Sequence, residues 1–496
     1  MTVRLLSLLL LAPAGCAGAG TRAAGQPPPN VLLIVADDQG TADLGCAGLA
    51  ADVETPSLDR LAARGVRFTQ AYAASPICNP SRAAILTGGY PQRFGTFWYG
   101  GMGIHDPRFV TIAEVLAAHG YRNGYVGKFH TGGNVHVPGN RNFPLEHGFH
   151  TLFGFGGGRK HYLLHRAEEE VRFQAVKSEH EREGQSLQKG PMWVDGELRD
   201  QEGFSTELFG ERARAFVREN RDRPFFLVLS FNAVHNFTHQ LPPEYLREHG
   251  LEGWRDWDPS VEEYYDWYRQ GRLPNLPEGR AHYLGQLHFL DREVGRVLDV
   301  LEETELSRNT IVIYVGDNGG STPIYANNSP LRGSKYTLYE GGIRVPLIVS
   351  WPGRFEHGVV RDNVVSAMDL FPTVCRAAGA RVPEHVDGVD LGPLLTGSRP
   401  DLHHETLIWD TGHEAAVRRG RWKWRTAASN RHAEYEMVEL EVGEFLHDLG
   451  RDPGETTNLS ALRPDLVEEL RTVHRDWRAA LGGPESQTAG LSRKRE

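Results

Sequence analysis

An α/β fold, with a large mainly parallel sheet flanked by helices and a smaller C-terminal α+β subdomain, is predicted by three features of the 496-residue sequence. Apolar runs alternate with helical patterns, the sign of βαβ units. The run from Val31 to Ala36 is continuously apolar, as a strand buried on both faces should be. From about residue 396 the segments shorten and the long alternation stops.

The elements follow in order. Arg4 precedes the apolar run Leu5 to Ala12, and the small residues Ala17-Gly18-Ala19 come next. That order makes 1–19 a secretory signal peptide, too short to span a membrane as a helix. Cys16, after Ala14-Gly15, has a second reading as a lipid-anchor cysteine, the one case in which membrane attachment is expected. The protein is therefore expected to be exported, to the periplasm or beyond. Residues 20–29 form a Gly/Pro spacer and 30–395 the main domain. The subdomain covers 396–485, and 486–496 is a polar tail. Within the main domain, Thr55-Pro56 opens a helix that Gly65 closes. Thr111-Ile112-Ala113-Glu114 is a capping box whose helix stops at Gly120. Leu284, Leu287, Val294, Leu298 and Leu301 mark one face of a long helix, followed by a strand from Thr310 to Val315. In the subdomain, segments Thr406 to Trp409, Ala415 to Trp424 and Glu444 to Asp448 precede a helix near 464–481.

Composition narrows the function classes. With 40% hydrophobic and 24% charged residues, the chain is neither disordered, collagen-like nor a polytopic membrane protein. A net charge of −10 argues against a nucleic-acid partner, so an anion would have to be held by a local cluster of cations. Four cysteines cannot make a disulfide scaffold. Export permits a bond between Cys46 and Cys375, though their spacing does not require one. The charge-rich stretch 165–203 reads as a solvated excursion. Trp254, Trp257, Tyr264, Tyr265, Trp267 and Tyr268 either pack together or stack on sugar rings.

The places where strands stop carry the chemistry. Val31–Ala36 runs into Asp37-Asp38, Tyr125-Val126 into Gly127-Lys128-Phe129-His130, Phe225–Leu229 into a segment ending at His235, and Ile311–Val315 into Gly316-Asp317-Asn318. The carboxyl ends of parallel strands form the crevice where ligands bind. Singly, each Asp reads equally as a helix cap, Lys128 as a snorkelling lysine, and His130 and His235 as core histidines. Together, carboxylates and an amide oxygen without His/Cys ligand spacing suit a hard cation, Ca²⁺ or Mg²⁺. The segment Cys78-Asn79-Pro80-Ser81-Arg82 reads as a helix start, with Asn79 capping and Pro80 at the first position, running to Gly88-Gly89. Cys78 then stands where a helix N-terminus favours an anion, one turn from Arg82.

With its Cys-x-Pro-x-Arg segment and Leu86-Thr87-Gly88, the chain resembles the type I, formylglycine-dependent sulfatases of the alkaline phosphatase superfamily, from about Pro29 to Leu481. The resemblance implies that a formylglycine-generating enzyme oxidises Cys78 to 3-oxoalanine, whose hydrate is the nucleophile, with Arg82 stabilising it. It implies metal ligation by Asp37, Asp38, Asp317 and Asn318 with the residue at 78, usually around Ca²⁺. Lys128 and His130 match the family's Gly-Lys-Trp-His segment. His235 matches a further active-site histidine, and Lys335 the last sulfate-binding lysine. Asn79, Phe129, Thr131 and Ser334 depart from the family's usual residues, and His235 lacks its usual Thr-Pro successor; none of these removes a charge or a ligand.

The implied activity is a sulfuric ester hydrolase acting on a sulfated carbohydrate or an aryl sulfate. In the implied mechanism, Lys128, Lys335, Arg82 and the metal hold the sulfuryl oxygens. His235 or Lys335 protonates the leaving alcohol, and His130 removes the proton that lets sulfate depart. Two rivals are a formylglycine-dependent phosphodiesterase or phosphonate monoester hydrolase and a catalytically silent glycan-binding relative.

Overall fold

The computed structural model describes residues 27–481 except 159, 165–189, 256, 259, 260, 263 and 273–275, and not the side chains of Tyr264, Tyr265 and Tyr435. The expected signal peptide, Cys16, the charged stretch up to 189 and the tail therefore lie outside the described residues. No described helix is long and apolar enough to cross a membrane.

Sixteen described strands run through the chain: β1 (Asn30–Ala36), β2 (Val66–Tyr72), β3 (Arg122–Lys128), β4 (Thr151–Phe155), β5 (Leu163–Leu164), β6 (Met192–Val194), β7 (Glu197–Arg199), β8 (Gly203–Phe204), β9 (Phe225–Ser230), β10 (Thr310–Gly316), β11 (Leu347–Ser350), β12 (Val359–Ser366), β13 (Thr406–Asp410), β14 (Glu414–Arg419), β15 (Trp422–Ala427) and β16 (Gly443–Asp448). The large sheet has the order β12-β2-β11-β10-β1-β9-β3-β4-β6-β7. Its centre, β10-β1-β9-β3-β4, is parallel throughout. Strand β1 shows why its run is continuously apolar. Leu32, Ile34 and Ala36 join the core on one face, and Val31, Leu33 and Val35 join the core on the other.

The predicted helices form at Pro56–Ala63 and Ile112–Ala117, the latter with both halves of its capping box, and at Gly279–Glu303. Two expectations are corrected, and one left open is decided. The stretch 190–203 is not solvent-bound throughout: Met192, Trp193 and Val194 are buried in β6, which pairs with β4 near the sheet's edge. Ala415 to Trp424 is not one segment, because the chain reverses between β14 and β15. Among the described aromatics, Trp257, Trp267 and Tyr268 are buried, so packing wins over a sugar platform there. Cys46 and Cys375 are free and pack into cores on opposite faces of the sheet.

In the subdomain, β13-β14-β15-β16 form an antiparallel sheet covered by the helix Pro464–Ala480. Leu407, Trp409 and Ala416 pack against Tyr72, Leu338, Ile343 and Val364 of the main domain, and Trp409 Nε1 donates to the Ala73 carbonyl at 2.8 Å.

Candidate active site

Four strand ends meet because their strands are neighbours. The register sets Ala36 beside Gly316, Val35 beside Ser230, and Ser230 beside Gly127. Asp37-Asp38, Asp317-Asn318 and Lys128 thus emerge along one edge of the sheet. Gly127 is needed for this: at φ 107° its Cβ would fall 1.8 Å from the Ser230 carbonyl oxygen. Asp38 (φ 61°) and His130 (φ 44°) also adopt left-handed backbone, an uncommon conformation for non-glycine residues.

The helix Cys78–Thr87 reaches this edge with its N-terminus and stops at Gly88 in the left-handed conformation. Its N-cap is Ile77, not Asn79. The helix begins earlier than the Pro suggested because Pro80 still falls in the first turn, where a missing N–H costs nothing. Asn79 is wholly buried, and neither polar atom of its side chain has a hydrogen-bond partner.

Cys78 Sγ lies 3.4 Å from Asp37 Oδ1 and 3.8 Å from Asp38 Oδ1. Asp37 is paired with Lys128 Nζ and stands 3.5 Å from Arg82 Nη2. Asp38 accepts from Lys335 Nζ at 2.7 Å and Asn318 Nδ2 at 2.8 Å, with His235 Nε2 at 3.6 Å. Asp317 takes Arg82 Nε at 2.7 Å and the backbone N–H of Asn318 at 2.9 Å. All these side chains are buried. His130 sits at the rim, its ring stacked on Tyr99 with centroids 6.1 Å apart.

Electrostatics distinguish the carboxylates. Burial pushes Asp37 up to about 7 even though Lys128 and Arg82 oppose the shift. Asp317 is also desolvated, yet Arg82, Lys128 and Lys335 together hold it below its ordinary range. Burial, then Asp37, raises the Cys78 thiol well above its usual value, so the sulfur stays protonated near neutrality. Lys335 is held charged against its own burial, chiefly by Asp38.

These residues fit a hard divalent cation. Asn318 Oδ1 is buried without a hydrogen-bond partner, because the amide has turned its NH₂ toward Asp38. Burial keeps the Asp37 carboxyl raised despite Lys128 and Arg82, so a further cation beside it would be favourable. One ligand atom each from Asp37, Asp38, Cys78 and His235 lies within 4.8 Å of the others. That set differs from the expected one by including His235, while Asp317 is the aspartate most engaged by Arg82.

Three contributors escaped the sequence reading. Ser230 Oγ accepts from Arg82 Nη1 at 2.6 Å and donates to the Lys128 carbonyl at 2.7 Å, tying β9 to β3. Tyr99 and Tyr336 rise above the crevice floor, with Lys335 Nζ 5.3 Å from the Tyr336 ring. No local motif marks them; only the last residue of an apolar run could have pointed to Ser230.

Comparison with known proteins gives a consistent result. A family model described as sulfatase matches residues 29–380, and one for the N-sulphoglucosamine sulphohydrolase C-terminal region matches 334–474. The chain is 32% identical to arylsulfatase A of Homo sapiens over 94% of its own length and 90% of that protein's. It is 31% identical to N-acetylgalactosamine-6-sulfatase of Canis lupus familiaris, covering 92% and 86%. The solved structure of Ps i-CgsB in complex with k-i-k-neocarrahexaose superposes with TM-score 0.74 at 28% identity, over 91% of this chain and 93% of that one.

Proposed function

The chain belongs to the sulfatase family, and from that premise we propose how this crevice cleaves its ester. The reaction is hydrolysis of sulfate esters of sulfated carbohydrates or aryl sulfates. The observation that carries the site assignment is the meeting of Cys78, in its Cys-x-Pro-x-Arg segment, with Lys128, Lys335 and Arg82 around three buried aspartates.

A protonated, buried thiol is a poor nucleophile, which supports conversion of Cys78 to formylglycine by a formylglycine-generating enzyme. The modified residue supplies a geminal-diol oxygen in place of sulfur, which also hardens the ligand set. Asp37, Asp38, Asp317 and Asn318 would hold the cation, and an all-protein carboxylate cage suits Ca²⁺ better than Mg²⁺. When bound, the cation supplies positive charge that lowers the pKa of an attached hydroxyl.

The remaining work falls to side chains. Lys128, Lys335 and Arg82 carry three positive charges against three carboxylates, so a divalent cation leaves an excess of two. The sulfuryl group and an ionised nucleophile can absorb that excess, which favours the transition state over the empty crevice. His235 Nε2, beside Asp38, is placed to give a proton to the leaving alkoxide, with Lys335 Nζ as the neighbouring donor. His130, oriented by Tyr99, takes the proton whose removal releases sulfate. Export belongs to the same proposal, with Cys16 as the anchor if the protein is retained on a membrane.

Mass spectrometry of the peptide carrying Cys78, after expression with and without a formylglycine-generating enzyme, tests the assignment. The aldehyde is expected only with the enzyme, and turnover of 4-nitrophenyl sulfate should rise in step. Full activity of the unmodified thiol would sink it. A higher kcat/KM on phosphodiesters than on sulfate esters would favour the phosphodiesterase reading instead.

A further inference from the structure

The loop that carries Tyr99 and the segment that follows His130 are joined into one piece. In the loop 96–103, the Gly103 N–H donates to Thr96 Oγ1 at 3.1 Å and closes the chain around Tyr99. Beyond His130, the Gly133 N–H donates to the Gly101 carbonyl at 3.0 Å. The two backbones come so close that a Cβ on Gly132 would collide with Gly103 Cα. Asn142 completes the joint. Its Nδ2 donates to the Met102 carbonyl at 2.8 Å and to the Gly133 carbonyl at 2.7 Å, one on each side. Asn142 is 3% exposed, so both bonds are made away from water, where a hydrogen bond is stronger.

The joint sets one ring against another. Tyr99 and His130 lie 20° from parallel with centroids 6.1 Å apart. The imidazole also lies against Gly158, where a Cβ would fall 2.8 Å from Cε1, so that residue touches the ring without bringing a side chain to fix it. Tyr99 is backed in turn by Tyr336, at 6.3 Å between centroids, and the Tyr336 ring stands 5.3 Å from Lys335 Nζ.

We propose that Asn142 and Tyr99 are positioning residues for His130: Asn142 locks the two stretches of chain in register, and Tyr99 sets the plane of the imidazole. The inference rests on the sulfatase reading, in which His130 removes the proton that lets sulfate depart, and it adds which residues prepare that half of the reaction. A base works only within hydrogen-bond reach of its proton, and a misplacement of about 1 Å costs about 10²-fold. A loosened imidazole therefore slows sulfate release and leaves the earlier departure of the alcohol untouched. In a two-step displacement, that lowers kcat and KM together and leaves kcat/KM unchanged, because kcat/KM counts only events up to the alcohol's departure.

The test uses the modified full-length protein, 4-nitrophenyl sulfate, and NMR of isotope-labelled histidine. Tyr99→Leu should lower kcat by ~100-fold with an equal fall in KM, and a burst of one 4-nitrophenolate per active site should precede the slow steady state. Asn142→Ala should show the same pattern at about tenfold, and Tyr99→Phe, which keeps the ring, should stay within about twofold of the wild type. The His130 Cε1–H resonance, identified by its absence from His130→Gln, should move in Tyr99→Leu and hold its place in Tyr99→Phe, because only the first loses the neighbouring ring. Asn142→Ala carries the kinetic test alone if Tyr99→Leu does not fold. Wild-type kinetics in the folded variants, a fall in kcat/KM at unchanged KM, or an unmoved His130 resonance would overturn the proposal. If the modified wild type does not turn over 4-nitrophenyl sulfate at all, the sulfatase reading itself fails, so the two failures are told apart.

Discussion

The crevice at the end of β1 and the seam between main domain and subdomain are both built from charges removed from water, but they are finished differently. At the seam, Lys423 on β15 places Nζ 2.9 Å from Glu340 Oε1 and 3.0 Å from Glu455 Oε1, all three side chains being 0% exposed. Glu340 also pairs with Arg344 and accepts from Tyr72 Oη at 2.6 Å, while Glu455 accepts the Glu340 N–H at 2.6 Å. Although burial opposes it, Lys423 and Arg344 hold the Glu340 carboxyl well below its ordinary value. In the crevice, the Asn318 Oδ1 acceptor is unmatched, the Cys78 thiol faces two carboxylates, and Asp37 is pushed up to about 7. The seam network sets a cation beside each carboxylate and holds two pieces of chain together, although burial raises the Glu455 carboxyl and its Oε1 accepts no hydrogen bond. The crevice network, left incomplete, is poised for an ion and a substrate.

Four experiments bear on that contrast. The largest effect is expected from Cys78→Ala, which should lower kcat/KM on 4-nitrophenyl sulfate by ~10⁴-fold or more. Its melting temperature should stay close to that of the wild type; a large drop would mean that the crevice, like the seam, is structural. Next, Lys423→Ala leaves the buried Glu455 carboxylate without its cation and Glu340 with Arg344 alone, and should cost about 3–5 kcal/mol in a denaturant titration. A cost below ~1 kcal/mol would show that water reaches the seam.

Calcium should separate the two clusters more finely. Adding it to chelator-treated protein at about 100 times its Kd should stabilise the wild type by about 2.7 kcal/mol. Lys423→Met should show the same increment and Asn318→Leu little of it. Equal increments in all three proteins would remove Asn318 from the ligand set.

The smallest effect is a pH dependence at the seam. The folded-state value of Glu340 lies below its unfolded 4.5, so its stabilising contribution is complete above that value and is lost as the pH falls through the folded value. The stability gap between wild type and Glu340→Gln should therefore be flat from neutrality down to about pH 5 and close in stronger acid. A gap that closes on raising the pH instead would contradict the assignment.

How much could be read beforehand follows from which signals are local. The strand β1, the capping box at Thr111 and the long helix ending at Glu303 each write their pattern within a few residues, and the structure has them. Asn79 misled because Asn before Pro is also a common helix start. The β14–β15 reversal was missed because Arg419 to Arg421 surround the turn glycine with polar residues that look like either strand. The edge strand β6 lay hidden in a charge-rich stretch whose average polarity masked three apolar positions. Tyr99 and Tyr336 carry no motif, and nothing near them in the chain announces that they meet beside Lys335.

The residue order by itself determined the strand-end carboxylates, the Cys78–Arg82 segment and the lysines and histidines of the sulfatase pattern, because each is a short-range arrangement. Only the tertiary structure decided their company. Asp37 and Lys128 are 91 positions apart, and Asp38 and Lys335 are 297 apart, yet both pairs are in contact. Those meetings depend on the sheet order β10-β1-β9-β3 and on the chain after β10 folding back, where the Lys335 N–H donates to the Gly320 carbonyl at 3.0 Å. Strand order is chosen by burial on both faces of the whole sheet, a global balance that no local periodicity records.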